Sequence, residues 1–365
     1  MRFVSRKKMM VPRLESILLV IRGNEEEEAA IRRAVHLAGV STSWLTALRV
    51  LQDLPSNTPG LGATVPVGSL KKVVAETARK DLERMLTPAS KQGYRVQIRI
   101  ARGTPFIEVI REVLRKKHDL VVLSASTKSA LRSSLFGSMT MKLMRECPCP
   151  IWVVKAGRHA PFPRVLAALS PEFESAAAVQ LNQKILAWSS SLAALEGGEL
   201  HAGHAWNLFA ESVLRGRAGV ADLEAHEMAQ QVHRAQKTWL TGLLAPYGLP
   251  KTGHLHLAKG SPEVVTPSMV QRERIDLLVM GTVCRTGVPG FLIGNTAEKV
   301  LNQVNCSVLT VKPDSFVTPV KLVQSARISL KLRLANYAPG SNGTDSMSCS
   351  TKATRSAGDS LSRTT

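Results

Sequence analysis

Short apolar runs alternate with amphipathic stretches along most of the chain. The run "ILLVI" from Ile17 is followed by the acidic-led stretch "EEEEAAIRRAVHLA". Apolar residues at helical spacing, with acids where a first turn would place them beside the positive end of the helix dipole, predict a strand and then a helix. "WLTALRV" from Trp44 predicts a second strand. Leu70, Val73, Val74, Leu82, Met85 and Leu86 then recur at helical spacing and predict the buried face of a longer helix. "VQIRIA" alternates as a half-buried strand does. Thr104-Pro105 suits the N-cap and first turn of the next helix. "DLVVL" from Asp119 reads as a buried strand, and "PIWVVK" from Pro150 closes the series.

The series then repeats. "DLVVLSASTKSALRSSLFGSMTMKLMRECPCPIWVVK" from Asp119 aligns without a gap on "DLLVMGTVCRTGVPGFLIGNTAEKVLNQVNCSVLTVK" from Asp276, a shift of 157 residues. Asp119/Asp276, Gly137/Gly294, Lys142/Lys299, Cys149/Cys306 and Lys155/Lys312 all obey it. "ARGTP" and "AKGSP" extend it upstream, and Ser261-Pro262 repeats the Thr104-Pro105 signal. The second copy opens with "VLAAL" and "EFESAAAVQLNQKILAW", continues through "ELHAGHAW" and "ADLEAHEMAQQVHRAQKTWLTGLL", and has "GHLHLA" where the first has "VQIRIA". A fixed period of this kind marks repeated domains. Strands alternating with helices predict a parallel sheet covered on both faces, with any ligand outside the carboxyl ends of the strands where the strand order reverses. The expected organisation is a basic arm over 1–13, a first α/β domain over 14–157, a second over 163–320, and a tail over 321–365. "RISLKLRL" (Arg327–Leu334) could add an edge strand, and the small, polar remainder predicts disorder.

The formal net charge is +20, and half of it sits in the two ends, +5 in residues 1–13 and +5 in residues 321–365. No aromatic ladder or groove motif accompanies these charges, so the expected contact with nucleic acid is nonspecific only. No apolar stretch is long enough to span a membrane, and the basic start has no signal-peptide apolar region. Five cysteines without a disulfide pattern suit a reducing compartment, so a cytoplasmic location is expected.

"LLVMGTVCRTGVPGFLIGNTAEKV" (Leu277–Val300) is a buried run that empties into a glycine-rich loop at a helix start. Glycines let backbone approach a phosphate closely, and the unpaired N–H groups of a helix start attract anions. The repeated grammar, Gly281…Gly294-Asn295-Thr296 and the ending "CSVLTVKPDSFVTPV" resemble the universal stress protein family, and most closely its tandem, E-type members. The resemblance covers about Leu14 to Val320. It implies two tandem, doubly wound, Rossmann-like domains of the adenine nucleotide alpha hydrolase-like class. It also implies that their last strands pair to form an intramolecular pseudo-dimer. A role in stress resistance, including tolerance of DNA damage, is implied too, with a homo-oligomer or other stress proteins as partners.

In ATP-binding members the loop reads Gly, two residues, Gly, nine residues, Gly, then Ser or Thr, and an Asp ending the first strand helps hold the nucleoside. This chain departs from that pattern. In the second copy Gly281 and Gly294 match, but Cys284 replaces the middle glycine, Asn295 takes the hydroxyl position with Thr296 one place later, and Ser170 stands for the Asp. In the first copy Ser124 and Thr127 replace two glycines, only Gly137-Ser138 survives, and Arg22 stands for the Asp. The expected cofactor is therefore ATP in the second domain only, held by Gly281, Gly294, Asn295 and Thr296 with Ser170 near the nucleoside. The alternative is that Gly281 and Gly294 only shape a turn. Cys284→Gly should tighten such binding.

No nucleophile elbow, P-loop lysine motif, H-E-x-x-H or catalytic carboxylate pair occurs, so a non-catalytic binding or scaffold module is expected. His254 and His256 fall on one strand face, and His201 and His204 lie on another strand. No acid or cysteine has evident spacing to complete a ligand set, so ordinary strand histidines and no metal are expected. "CPCP" (Cys147–Pro150) is not C-x-x-C and suits burial at a sheet edge. Cys284 beside Arg285 has the surroundings of a reactive thiol, with drift from glycine as the alternative.

Overall fold

The computed structural model describes residues 12–23, 27–53, 67–125, 136–155, 162–171, 176–207, 222–248, 254–282 and 294–322. The first half runs β1 (Ser16–Val20), α1 (Glu28–Ser41), β2 (Trp44–Leu51), α2 (Val67–Lys91), β3 (Val96–Arg102), α3 (Pro105–Lys116), β4 (Leu120–Ser124), α4 (Ser138–Glu146) and β5 (Ile151–Val154). The second repeats the order with β6 (Arg164–Ala168), α5 (Ala176–Leu195), β7 (Glu199–Trp206), α6 (Asp222–Leu244), β8 (Leu255–Lys259), α7 (Pro262–Arg272), β9 (Leu277–Gly281), α8 (Asn295–Gln303) and β10 (Ser307–Val311). Among the described residues no helix is long and apolar enough to cross a membrane. Cys284, Thr127 and the Arg327–Leu334 stretch lie outside the described residues.

The strands form one ten-stranded sheet in the order β3-β2-β1-β4-β5-β10-β9-β6-β7-β8. Successive residues of a strand face opposite ways, so each buried run feeds two cores. Ile17, Leu19, Trp152, Val165 and Leu309 point toward α1, α2, α5 and α6, whereas Leu18, Val20, Val121, Leu278 and Val308 point toward α3, α4, α7 and α8. Each core runs continuously through both halves. Matching aspartates, each just before the fourth strand of its copy, hold the start of that copy's first strand. The Asp119 carboxylate accepts from the backbone N–H groups of Glu15 (2.8 Å) and Ser16 (2.9 Å), and that of Asp276 accepts from Arg164 (3.1 Å).

All described strand pairs are parallel except β5–β10, where the two halves meet. There Trp152 pairs with Leu309, Ile151 with Thr310 and Val153 with Val308. Trp152 and Leu309 are themselves repeat equivalents, and exchanging the copies carries the Ile151 pair onto the Val308 pair. The contact is thus an isologous one folded into a single chain. The pairing implied by the family resemblance is present.

Side-chain contacts also close the junction away from the strands. Arg33 of α1 forms an ion pair with Glu196, just past α5, and both side chains are buried. The Arg33 guanidinium lies 4.0 Å from the Phe162 ring centroid, and Phe162 meets Trp152 edge-on at 5.6 Å. Glu196 also accepts from the Phe162 backbone N–H at 3.2 Å. On the other side Lys312 donates to the carbonyls of Met144 (2.6 Å) and Cys147 (2.8 Å), occupying orphan acceptors at the end of α4.

Two expectations are corrected. Val73 and Val74 of α2 are 57% and 40% exposed, whereas Leu82 and Leu86 are buried. A 25-residue helix is about 37 Å long and the seven-residue β3 beside it only about 23 Å, so the early turns of α2 overhang the sheet. Cys147 and Cys149 do not lie at a sheet edge. They precede β5, which is central because β10 covers its other side.

Candidate functional site

In each half the strand order reverses between the first and fourth strands, at β1/β4 and at β6/β9. The chain's own side chains occupy both crevices. In the first half, Arg22 follows β1 and donates across the crevice to the Ser124 carbonyl (2.8 Å) and hydroxyl (2.9 Å) at the end of β4. Glu27 turns back from the start of α1, and its carboxylate accepts from the backbone N–H groups of Arg22 and Gly23. Burial pushes the Glu27 carboxyl above its ordinary range, against those hydrogen bonds and the nearby Arg22 charge. Gly23 has φ +88°, and an added Cβ would run into the Arg49 side chain, so this turn requires glycine.

In the second half, two consecutive residues of α5 reach the two sides of the crevice. The Asn182 amide accepts from the Ser170 N–H (3.2 Å) and donates to the Ser170 carbonyl (2.6 Å). Leu181 lies over Gly281, where an added Cβ would stand 2.7 Å from its Cδ2. Gly281 leaves room for that helix side chain. Gly294 is the N-cap of α8, and its N–H donates to the Thr282 carbonyl at 3.2 Å, closing the base of the glycine loop. Asn295 and Thr296 follow on the exposed first turn. The structure thus brings Gly281 and Gly294 to one loop base, and Asn182 clamps Ser170 beside the Leu181 that packs over Gly281.

A second cluster lies at the opposite, amino end of the strands. β7 and β8 pair so that His201, His254 and His256 share the face covered by α7, while His204 points the other way, toward Trp239 of α6. His201 Nδ1 is 2.9 Å from His256 Nε2. Glu199 Oε2 is 3.6 Å from His201 Nε2 and 3.9 Å from His254 Nε2. Glu273, at the end of α7, lies 3.5 Å from His256 Nδ1. The expectation that no acid converges on these histidines is corrected. Glu199 is two residues before His201 on the same strand face, and Glu273 arrives through the tertiary fold. The strand alternation was a visible signal for the first and nothing local signals the second.

Cys147 and Cys149 form a third group, with sulfurs 3.6 Å apart beside Lys312. Burial pushes the Cys149 thiol well above its ordinary range. Cys147 is fully buried, so the pair belongs to the packed junction.

The universal stress protein family model matches residues 14–155 and 164–312, in step with the two halves of the sheet. Universal stress protein E of Photorhabdus laumondii is 26% identical over 317 residues, covering 84% of this chain and 98% of its own. Universal stress protein E of Escherichia coli K12 is 26% identical over 313 residues, covering 84% and 97%. A crystal structure from Pseudomonas aeruginosa UCBPP-PA14, solved as a candidate universal stress protein, superposes with a TM-score of 0.62 at 26% identity, over 82% of this chain and 94% of that one. The paired sheet, its two reversal points and these likenesses converge on one assignment: the chain belongs to the universal stress protein family, with two such domains joined in tandem.

Proposed function

We propose that this chain acts in the stress response as a non-catalytic, two-domain binding or scaffold module, with DNA-damage tolerance among the stresses it serves. The observation that carries this reading is that the chain's own side chains occupy both reversal points, Arg22 bridging to Ser124 in the first half, and Asn182 clamping Ser170 while Leu181 packs over Gly281 in the second. A nucleotide would have to displace them. Calorimetric titration of ATP into the full-length chain tests this, and no saturable uptake is expected.

A second reading is an ATP-responsive switch that uses the second half alone. Gly294 carries no capping side chain, and the α8 start is exposed at Asn295 and Thr296, so its N–H groups are open to an anion. On this reading ATP binds weakly, about one per chain, at Gly281, Gly294, Asn295 and Thr296. Gly294→Asp would then abolish binding while keeping or raising the melting temperature, because the new carboxylate caps the helix and repels phosphate. Gly294 has φ −60°, which an aspartate adopts without strain. Photocrosslinking of an azido-ATP to the first half would sink both readings.

A further inference from the structure

We propose that Glu199, His201 and His254 bind a zinc ion at the amino-end corner of the sheet in the second half, with His256 and Glu273 holding His201 in its ligating form. This site is separate from the reversal-point crevice, which lies at the carboxyl ends of the same strands.

The argument is one of proton placement. The His201–His256 hydrogen bond admits two tautomer pairs, and the one suited to a metal puts the His256 proton on Nδ1, which faces Glu273 at 3.5 Å. A neutral His256 then has a bare Nε2, which accepts from His201 Nδ1 at 2.9 Å. His201 is thereby left with a bare Nε2. That atom is buried, makes no hydrogen bond and lies 3.6 Å from a Glu199 carboxylate oxygen. In this tautomer the bare Nε2 and the Glu199 carboxylate face one position, which a cation between them would fill. His254 Nε2 lies 3.9 Å from the same oxygen. A ligating histidine backed by a hydrogen-bonded partner and a carboxylate is the arrangement that fixes tautomer and ring orientation at metal centres.

Distance and chemistry both fit zinc. Donors about 2.0–2.2 Å from a tetrahedral ion stand roughly 3.3–3.5 Å apart. The ligand atoms here lie within 4.8 Å of one another, and Glu199 and His254 are partly exposed and can turn inward by the difference. Two imidazoles and one carboxylate suit zinc and leave the fourth position to water. Glu273 is not a ligand, because Arg272 Nε holds its carboxylate at 2.7 Å.

The test uses the full-length chain stripped with chelator and titrated calorimetrically with zinc chloride, beside His254→Ala, Glu199→Gln and Cys149→Ser. We expect one zinc per chain and a rise in melting temperature with zinc. Affinity should fall by more than about tenfold in His254→Ala and Glu199→Gln. Their metal-free melting temperatures should match that of the parent, because both positions are partly exposed. Cys149→Ser should bind as the parent does. Cobalt in place of zinc should give visible d–d bands without thiolate charge transfer. An absence of zinc uptake, undiminished uptake by His254→Ala, or loss of uptake in Cys149→Ser would each overturn the proposal. A simple His–Glu ion pair predicts the first of these outcomes.

Discussion

Lys312 is buried at the junction, and its ammonium donates to two carbonyls that end a helix of the other half. Desolvation lowers its pKa to about 8 from the ordinary lysine value of 10.5, partly offset by the neighbouring cysteines and Glu146. The sign follows from proton binding. Between those two values the unfolded chain holds this proton and the folded chain has released it, so stability attributable to Lys312 rises with pH across that window. Below about pH 8 both states hold the proton, and the contribution is flat. Urea denaturation of the parent and of Lys312→Met at several pH values should show the parent gaining on the variant between pH 8 and 10.5. A constant difference would mean that the amine titrates normally. Arg22 illustrates the same scale from the sequence side. The position was recognisable as a departure from the family aspartate. That its guanidinium would bridge to Ser124 was not, because the partner lies on a strand distant in sequence and the bond depends on where β4 ends.

At the scale of elements, most strands were legible to within a residue or two, since buried parallel strands are short apolar runs between turn signals. "ELHAGHAW" became β7 over Glu199–Trp206. The paired Thr-Pro and Ser-Pro signals became the N-caps and first turns of α3 and α7. Periodicity failed at the start of α2, because it reports which side of a helix is apolar and not whether anything lies opposite. The consequence is measurable. Val73→Lys should leave stability within about 0.5 kcal/mol of the parent. Leu82→Ala, nine residues along the same helix, should cost about 2–5 kcal/mol. A large loss at Val73 would place a packing partner over the overhang. The histidine cluster was half legible. Alternation put its strand residues on one face, but only the β7–β8 register set His201 beside His254, and only the packing of α7 brought Glu273 to them.

The described residues form one sheet with two shared cores, so the two halves should not unfold separately. Far- and near-ultraviolet circular dichroism during urea denaturation should report a single coincident transition. Arg33→Ala should lower the unfolding free energy by about 3–5 kcal/mol without splitting the transition, since it removes the ion-pair partner of the buried Glu196 carboxylate. Two resolved transitions would show that the junction is weaker than the domains it joins. The tandem organisation itself was the most legible feature of the sequence, because the 157-residue shift is fixed and gapless over its best-matching stretch. The antiparallel seam at Trp152 and Leu309 was implied by family resemblance alone.

That seam has a genetic consequence. In a dimer of identical chains every substitution appears twice, so a change that ruins one ligand crevice ruins both, and a change near the symmetry axis meets its own copy. Joining the copies in one chain preserves the pairing but lets each side mutate independently. Arg22 and Ser170 occupy corresponding places, yet one bridges to a strand and the other is clamped by a helix. Glu199, His201, His254, His256 and Glu273 have Trp44, Thr46, Gln97, Arg99 and Lys116 at the matching positions of the first half, so the proposed zinc ligands exist once. Covalent linkage thus turns a symmetric scaffold into one whose two ends can be selected for different tasks.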